Sequence, residues 1–151
     1  MDPYFRPILL ASAVVLALNF LVTLPIIGLP LITYFIGGVL AVVFFKKEFK
    51  EPNKEIKAFD VLVLGIGTGV LVGAVLSLIF LLKIQDPNIQ KEIIDTVNKS
   101  MKMHSQRGFQ FIDELGPTFN FVFAIVNIIS CCLLCSFGSF ASLPFMNKGK
   151  K

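Results

Sequence analysis

The sequence predicts an all-α polytopic membrane protein with four transmembrane helices and an amphipathic extracytoplasmic helix between spans three and four. The chain of 151 residues is 55% hydrophobic and 16% charged, whereas soluble domains carry about 25% charged residues. Asp, Glu, Lys and Arg are absent from three long blocks, 7–45, 61–82 and 115–147. A helix crosses a bilayer with about 20 apolar residues. Each block is therefore long enough to cross the hydrocarbon layer.

The first uncharged block is long enough for two spans. As one helix it would run about 58 Å at about 1.5 Å per residue, nearly twice the hydrocarbon thickness of about 30 Å. Pro25, Gly28 and Pro30 lie in its middle, and a helix tends to end at proline, which lacks the amide hydrogen. We therefore predict span one at about 8–24 and span two at about 31–45. No small-residue cleavage site follows span one, which favours an uncleaved helix over a signal peptide.

The rest of the chain supplies two further spans and the segment between them. Span three is predicted at about 61–82 and span four at about 119–143, where Pro144 ends it. These boundaries leave an outer segment, 83–117, and we predict that 1–151 forms a single four-helix transmembrane domain.

The outer segment contains a predicted amphipathic helix. Asp86 can cap this helix and Pro87 suits its first position. Apolar residues then recur every four positions, at Ile89, Ile93, Val97 and Met101. We expect this face to lie over the outer ends of the spans, against the turn at 25–30. A partner protein or the lipid surface are the alternatives.

The distribution of basic residues predicts that both termini are cytoplasmic. Lys and Arg in short loops prefer the cytoplasmic side of a membrane. Nine cations fall on the side of the termini, and five fall in the outer segment. The nine are Arg6, Lys46, Lys47, Lys50, Lys54, Lys57, Lys148, Lys150 and Lys151. The net charge of +4 is explained by anionic lipid headgroups and requires no nucleic acid.

Glycines in span three, "VLVLGIGTGVLVGAV", permit two interpretations. A dinucleotide-binding loop needs G-x-G-x-x-G between a strand and a helix, and the third glycine is missing here. Gly65, Gly69, Gly73 and Ser77 instead recur every four residues, which places them on one helix face. Small residues on such a face allow a second helix to approach closely in lipid. We call these four residues the small-residue stripe; a helix of the same chain is favoured as its partner over one from another protein.

Polar and thiol groups within the spans are the remaining candidate sites. Asn19 and Asn127 each place an amide in the hydrocarbon layer, where it needs a hydrogen-bonding partner. Packing between helices is favoured for these amides over the lining of a solute path, because the predicted spans contain no ionisable carboxylate or amine. Three thiols, Cys131, Cys132 and Cys135, lie in span four without the further ligands that zinc requires. We predict that they pack, and that the chain has no metal site and no cofactor.

The order of these features resembles a group of small four-span membrane proteins, common in Bacteroidetes, that is known only as a domain of unknown function. The shared features are the glycine-bearing second span, the basic loop, "GIGTGVLVGAV", the Asp-Pro after it and "FGSFAS" before the lysine tail. The resemblance implies a bacterial inner-membrane location and no particular activity. The outer segment here is shorter and less rich in Glu and Gln than in that group.

Two functions from different classes fit the sequence. The first is a non-catalytic accessory or interaction subunit of a membrane complex, because no spacing of acids, bases or nucleophiles indicates an active site. Its partners would be the lipid bilayer and either another membrane protein or a second copy of the chain. The alternative is a small oligomeric channel or carrier for a small solute. The depth and hydration of Asn19 and Asn127 distinguish the two functions.

Overall fold

Five α-helices make up almost all of the described chain. The computed structural model describes residues 3–21, 29–48, 55–104 and 116–147, and these residues contain no strand. The helices are α1 (Phe5–Leu21), α2 (Leu29–Glu48), α3 (Ala58–Lys83), α4 (Pro87–His104) and α5 (Pro117–Asn147). The all-α class predicted from the sequence is therefore confirmed for the described residues. The predicted turn between spans one and two falls largely on residues 22–28, outside the described residues.

Contacts near the helix ends show that α1, α2, α3 and α5 form an antiparallel bundle. The Tyr4 hydroxyl donates to Asp60 Oδ1 at 2.7 Å, which brings the starts of α1 and α3 together. Arg6 pairs with Glu48 at 3.2 Å, so the end of α2 lies at the same end of the bundle. Lys46 donates to the carbonyl of Met146, which adds the end of α5. We call this end of the bundle the lysine end. The opposite end contains a cleft, described below, and we call it the cleft end.

Helix α5 holds the bundle together. It packs most extensively on α3 and next on α2, while α1 packs on α2 and α3. A buried cluster near the lysine end joins Ala11, Val42 and Leu64. A second buried cluster joins Val15, Val72 and the thiol-bearing segment of α5. The core is thus built mainly from small and β-branched side chains.

Two helices are long and apolar enough to cross a membrane by length and composition. They are α3, with 26 residues, and the part of α5 from Thr118 to Asn147, with 30 residues. The apolar stretch of α1, Phe5–Phe20, is shorter. Helix α2 ends in Lys46, Lys47 and Glu48.

The predicted end of span four at Pro144 is wrong for the helix, because α5 continues to Asn147 with Pro144 inside it. A proline removes one backbone hydrogen bond and disturbs the turn before it. Contacts with α2 and with the residue segment before α3 hold the final turn instead. Lys46 donates to the Met146 carbonyl, and Asn147 Nδ2 donates to the Ile56 carbonyl at 3.4 Å.

Helix α4 begins where the sequence predicts and for the predicted reason. Asp86 Oδ1 accepts a hydrogen bond from the Asn88 amide at 2.9 Å, which is an N-cap contact, and Pro87 takes the first position. Ile89 and Ile93 on its apolar face are half-buried. Helix α4 is not among the helix pairs that pack closely in the described chain. The expected cap over the other helices is thus not formed by extensive helix-to-helix packing.

Candidate functional site

The small-residue stripe of α3 faces α5 of the same chain. A β-carbon built on Gly65 would lie 2.6 Å from Ser136 Cα, and one on Gly73 would lie 2.8 Å from Ile128 Cα. Gly69 faces the backbone of Cys132 even more closely. At such distances there is no room for a side chain, and the two helix backbones nearly touch. Ser77, the last member of the stripe, is also buried.

A second close approach joins α2 and α5, and the sequence analysis did not single it out. Gly38 faces the backbone of Cys135, and Gly138 faces the carbonyl of Phe35. Ser139 Oγ donates to the Gly38 carbonyl at 3.0 Å. Gly37-Gly38 and "FGSFAS" are the sequence signals that could have indicated it. Helix α5 therefore lies between α3 and α2, with a small-residue contact on each side.

The thiols of α5 take part in these two contacts. Cys135 Sγ donates to the Tyr34 carbonyl at 3.2 Å, across the α2 interface. Cys132 Sγ lies 3.8 Å from the Ile66 carbonyl, across the α3 interface. Cys131 and Cys135 are fully buried, and within the described residues no three His, Cys, Asp or Glu side chains are grouped as metal ligands. The arrangement is one of helix packing through small side chains.

Each of the two asparagine amides donates across a helix interface. Asn19 Nδ2 donates to the Val15 carbonyl at 2.9 Å and to Thr33 Oγ1 at 3.2 Å, which ties α1 to α2. Asn127 Nδ2 donates to Ser77 Oγ at 3.1 Å and to the Gly73 carbonyl at 3.3 Å, which ties α5 to α3. The stripe and one of the amides therefore belong to the same interface.

Both amides also line one cleft at the cleft end of the bundle. Its volume is about 270 Å³, and all four bundle helices contribute to it. Its lining includes Asn19 and Asn127, the buried phenol of Tyr34, and Lys83. The apolar part of the lining comprises Phe20, Leu76, Ile79, Phe80 and Phe123. The sequence analysis selected the two amides separately, and the fold brings them to one site.

Polar groups at the lysine end are engaged with one another. Asp60 Oδ1 accepts from Tyr4 at 2.7 Å, and Asp60 Oδ2 accepts from the Lys57 amide at 3.0 Å. Tyr4 also stacks on Phe45, with ring centroids 5.2 Å apart. Each Asp60 oxygen thus has a structural partner at the start of α3. These contacts close the lysine end around the helix termini.

Comparison with protein-family models, with curated proteins and with solved structures finds no match to this chain.

Proposed function

We propose that the chain is a four-span integral membrane protein that acts as a non-catalytic accessory or interaction subunit of a membrane complex. One observation carries the membrane part of the proposal. The small and hydroxyl-bearing residues of α3 point inward together with Val61, Leu64 and Val72, while six other large apolar residues of this helix point outward. The outward face comprises Phe59, Leu62, Ile66, Val70, Leu78 and Leu82, all exposed. Such a face is costly in water, since burying each large side chain is worth about 1.5–3 kcal/mol, and it suits a lipid surround.

Helix α5 likewise exposes large apolar residues. Of the most apolar stretch of each helix, 39% is buried in α3 and 17% in α5, whereas the core helix of a soluble protein would be mostly buried. Phe121, Phe137 and Phe145 are each more than half exposed. Soluble monomers rarely expose continuous apolar patches of this extent. Two mostly unburied apolar helices therefore support a bilayer location.

Helices α1 and α2 complete the four spans of the proposal. Their 17 and 20 residues correspond to about 26 and 30 Å at about 1.5 Å per residue, close to the hydrocarbon thickness of about 30 Å. Both run antiparallel within the bundle and carry exposed apolar residues such as Leu10, Phe20 and Ile32. Their position beside α3 and α5 in the bundle supports the proposal that they cross the same membrane.

We further propose that the lysine end faces the cytoplasm of a bacterial cell. Arg6, Lys46, Lys47 and Lys57 all belong to helix termini or flanks at this end. Positive charge in short loops is retained on the cytoplasmic side. The resemblance noted from the sequence favours a bacterial inner membrane.

The accessory role is supported by the polar groups, which are already engaged in structural hydrogen bonds. The Asp60 carboxylate is bound by Tyr4 and by a backbone amide, and both asparagine amide nitrogens hold helix interfaces. The stripe is occupied by α5 of the same chain, so it does not serve an external partner. The surface left for a membrane-protein partner, or for a second copy, is the exposed side of α5. Phe121, Ile129 and Phe137 contribute to that side.

The second candidate is a small carrier or channel, and the cleft favours it. Asn19 and Asn127 share one open cavity with Lys83, as a solute path would require. Against a continuous path, the lysine end is closed by the contacts of Tyr4, Asp60 and Phe45. A carrier would have to break these contacts in each cycle.

Fractionation and affinity purification test the proposal in two steps. First, the full chain should stay with membranes in alkaline carbonate and be released by detergent. Release by carbonate alone would contradict membrane integration. Second, a tagged chain purified in mild detergent should retain a stoichiometric membrane-protein partner or a second copy of itself. Transport of a small solute by the purified chain in proteoliposomes, including by an oligomer of it, would favour the channel or carrier instead.

A further inference from the structure

The cleft of about 270 Å³ is small and has apolar walls. Phe80 and Phe123 form one of them, with ring centroids 4.0 Å apart and planes 26° from parallel. Pockets for drug-sized ligands occupy about 300–1,000 Å³, so this cleft fits a smaller molecule. Stacked aromatic rings favour a flat apolar body.

The two asparagines of the cleft offer it their amide oxygens as acceptors. Asn19 Nδ2 and Asn127 Nδ2 are already committed to partners in the helix interfaces. Asn19 Oδ1 receives no hydrogen bond from the described residues, and Asn127 Oδ1 receives only a long one from Cys131 Sγ, at 3.9 Å. An amide oxygen has two lone pairs, so both oxygens retain the capacity to accept. A ligand that satisfied them would have to bring a donor.

Lys83 gives the cleft its only formal charge among the described lining residues. It is the last residue of α3 and is exposed. Within the described residues it makes no ion pair. Ser77, which holds Asn127, lies six residues earlier on α3, about 9 Å along the axis at about 1.5 Å per residue. The cation and the amide acceptors are therefore separated by about the length of a small organic molecule.

We propose that this cleft binds a small organic anion with a flat apolar body and a hydrogen-bond donor at the end opposite its anionic group. The anionic group pairs with Lys83, the body lies against Phe80 and Phe123, and the donor reaches the oxygens of Asn19 and Asn127. Such a ligand satisfies the cation, the aromatic wall and the two amide oxygens of the lining. This site is independent of the accessory role and requires only that the bundle be folded.

A lipid alkyl chain is the competing occupant, and it fits less well. Its end would bring no donor to the amide oxygens, whereas the proposed ligand would. Water alone would satisfy the oxygens but not the aromatic wall. Probes that each lack one feature of the proposed ligand distinguish it from a lipid chain and from water.

Three probes test the proposal on the full chain in detergent, by isothermal titration calorimetry. They are para-hydroxyphenylpropionate, phenylpropionate, which lacks the donor, and para-hydroxyphenylpropanamide, which lacks the charge. We expect the first to bind about tenfold more tightly than either of the others, a difference of about 1.4 kcal/mol, because each of the other two lacks one polar interaction with the site. Equal binding of all three would indicate apolar partition and overturn the proposal, as would absence of binding.

Two variants and a matched control locate the site. K83Q should reduce the preference for the anion over the neutral amide to about unity, while K99Q, which changes an exposed lysine of α4 outside the lining, should leave it unchanged. Ile79→Trp should fill the cleft and abolish binding of all three probes, with helix content and thermal stability checked by circular dichroism. Unaltered binding in both cleft variants would overturn the proposal. None of these outcomes depends on whether a membrane partner is found.

Discussion

Asn127 Nδ2 lies 3.1 Å from Ser77 Oγ, and this hydrogen bond joins α3 and α5, the two longest helices of the described chain. Ser77 in turn lies 3.4 Å from the Ala124 carbonyl of α5. The contact extends the line along which Gly65, Gly69 and Gly73 meet α5. The hydrogen bond between Asn127 and Ser77, which we call the clasp, thus lies next to the close backbone contact, on the same face of α3.

The first prediction concerns this clasp. Asn127→Leu removes the donor to Ser77 and to the Gly73 carbonyl, and should destabilise the protein by about 0.6–2 kcal/mol, as interhelical hydrogen bonds in membranes do. Ser77→Ala removes one of the two acceptors of Asn127 and the longer contact with the Ala124 carbonyl, but it leaves the bond from Asn127 to the Gly73 carbonyl and should therefore cost less. Unfolding by a denaturing detergent, followed by circular dichroism, measures both. In a double-mutant cycle the two changes should be non-additive; additive costs would show that the clasp contributes nothing.

The second prediction concerns the stripe. Gly69→Leu or Gly73→Leu should force α3 and α5 apart, because the nearest atoms are backbone atoms that cannot move aside. The expected loss is about 1–3 kcal/mol, or more, by overpacking. Val70→Leu is the matched control, since Val70 is exposed and lies off the stripe. Thermal stability in detergent compares the three variants, and equal stability would contradict the close contact.

The third prediction concerns the contact between α2 and α5. Gly138→Ala should lower stability by about 1–3 kcal/mol, because the new methyl group would meet the Phe35 carbonyl. Gly67→Ala is the control, since its methyl group would meet only the flexible end of Ile8, at 2.6 Å. Alanine also favours a helix over glycine by about 1 kcal/mol, so the control should be neutral or stabilising. A control as damaging as Gly138→Ala would refute this assignment.

The fourth prediction concerns orientation. A reporter that is active only outside the cytoplasm should be silent when fused after Lys151, because the nine cations retain that side inside. The same reporter inserted near Lys99 should be active. Removing positive charge from the 46–57 loop should weaken this bias. The opposite pattern of activity would reverse the proposed orientation.

The fifth prediction concerns α4, which has one apolar face and no close packing with another helix in the described chain. We expect this face to rest on the lipid surface. With the native cysteines replaced by alanine, Ile93→Cys in lipid nanodiscs should react more slowly with a water-soluble thiol reagent than Asp95→Cys. Asp95 is the exposed neighbour on the polar face. Equal rates would show that the helix stands free in water.

The sequence by itself determined the features that depend on local spacing. Uncharged blocks of sufficient length indicated the long apolar helices, and the four-residue period placed the stripe on one face of α3 because an α-helix has about 3.6 residues per turn. Asp86 and Pro87 indicated the start of α4 through capping, which involves only neighbouring residues.

The tertiary structure alone decided how these faces meet. It assigned α5 to the stripe, added the contact between Gly38 and α5, and carried α5 through Pro144 because Lys46 and Ile56 supply its last turn with partners. It also brought Asn19 and Asn127, which are far apart in the chain, to one cleft. Periodicity fixes which residues share a helix face. The choice of the opposing helix depends on shape and hydrogen-bond complementarity between distant segments, which local sequence does not encode.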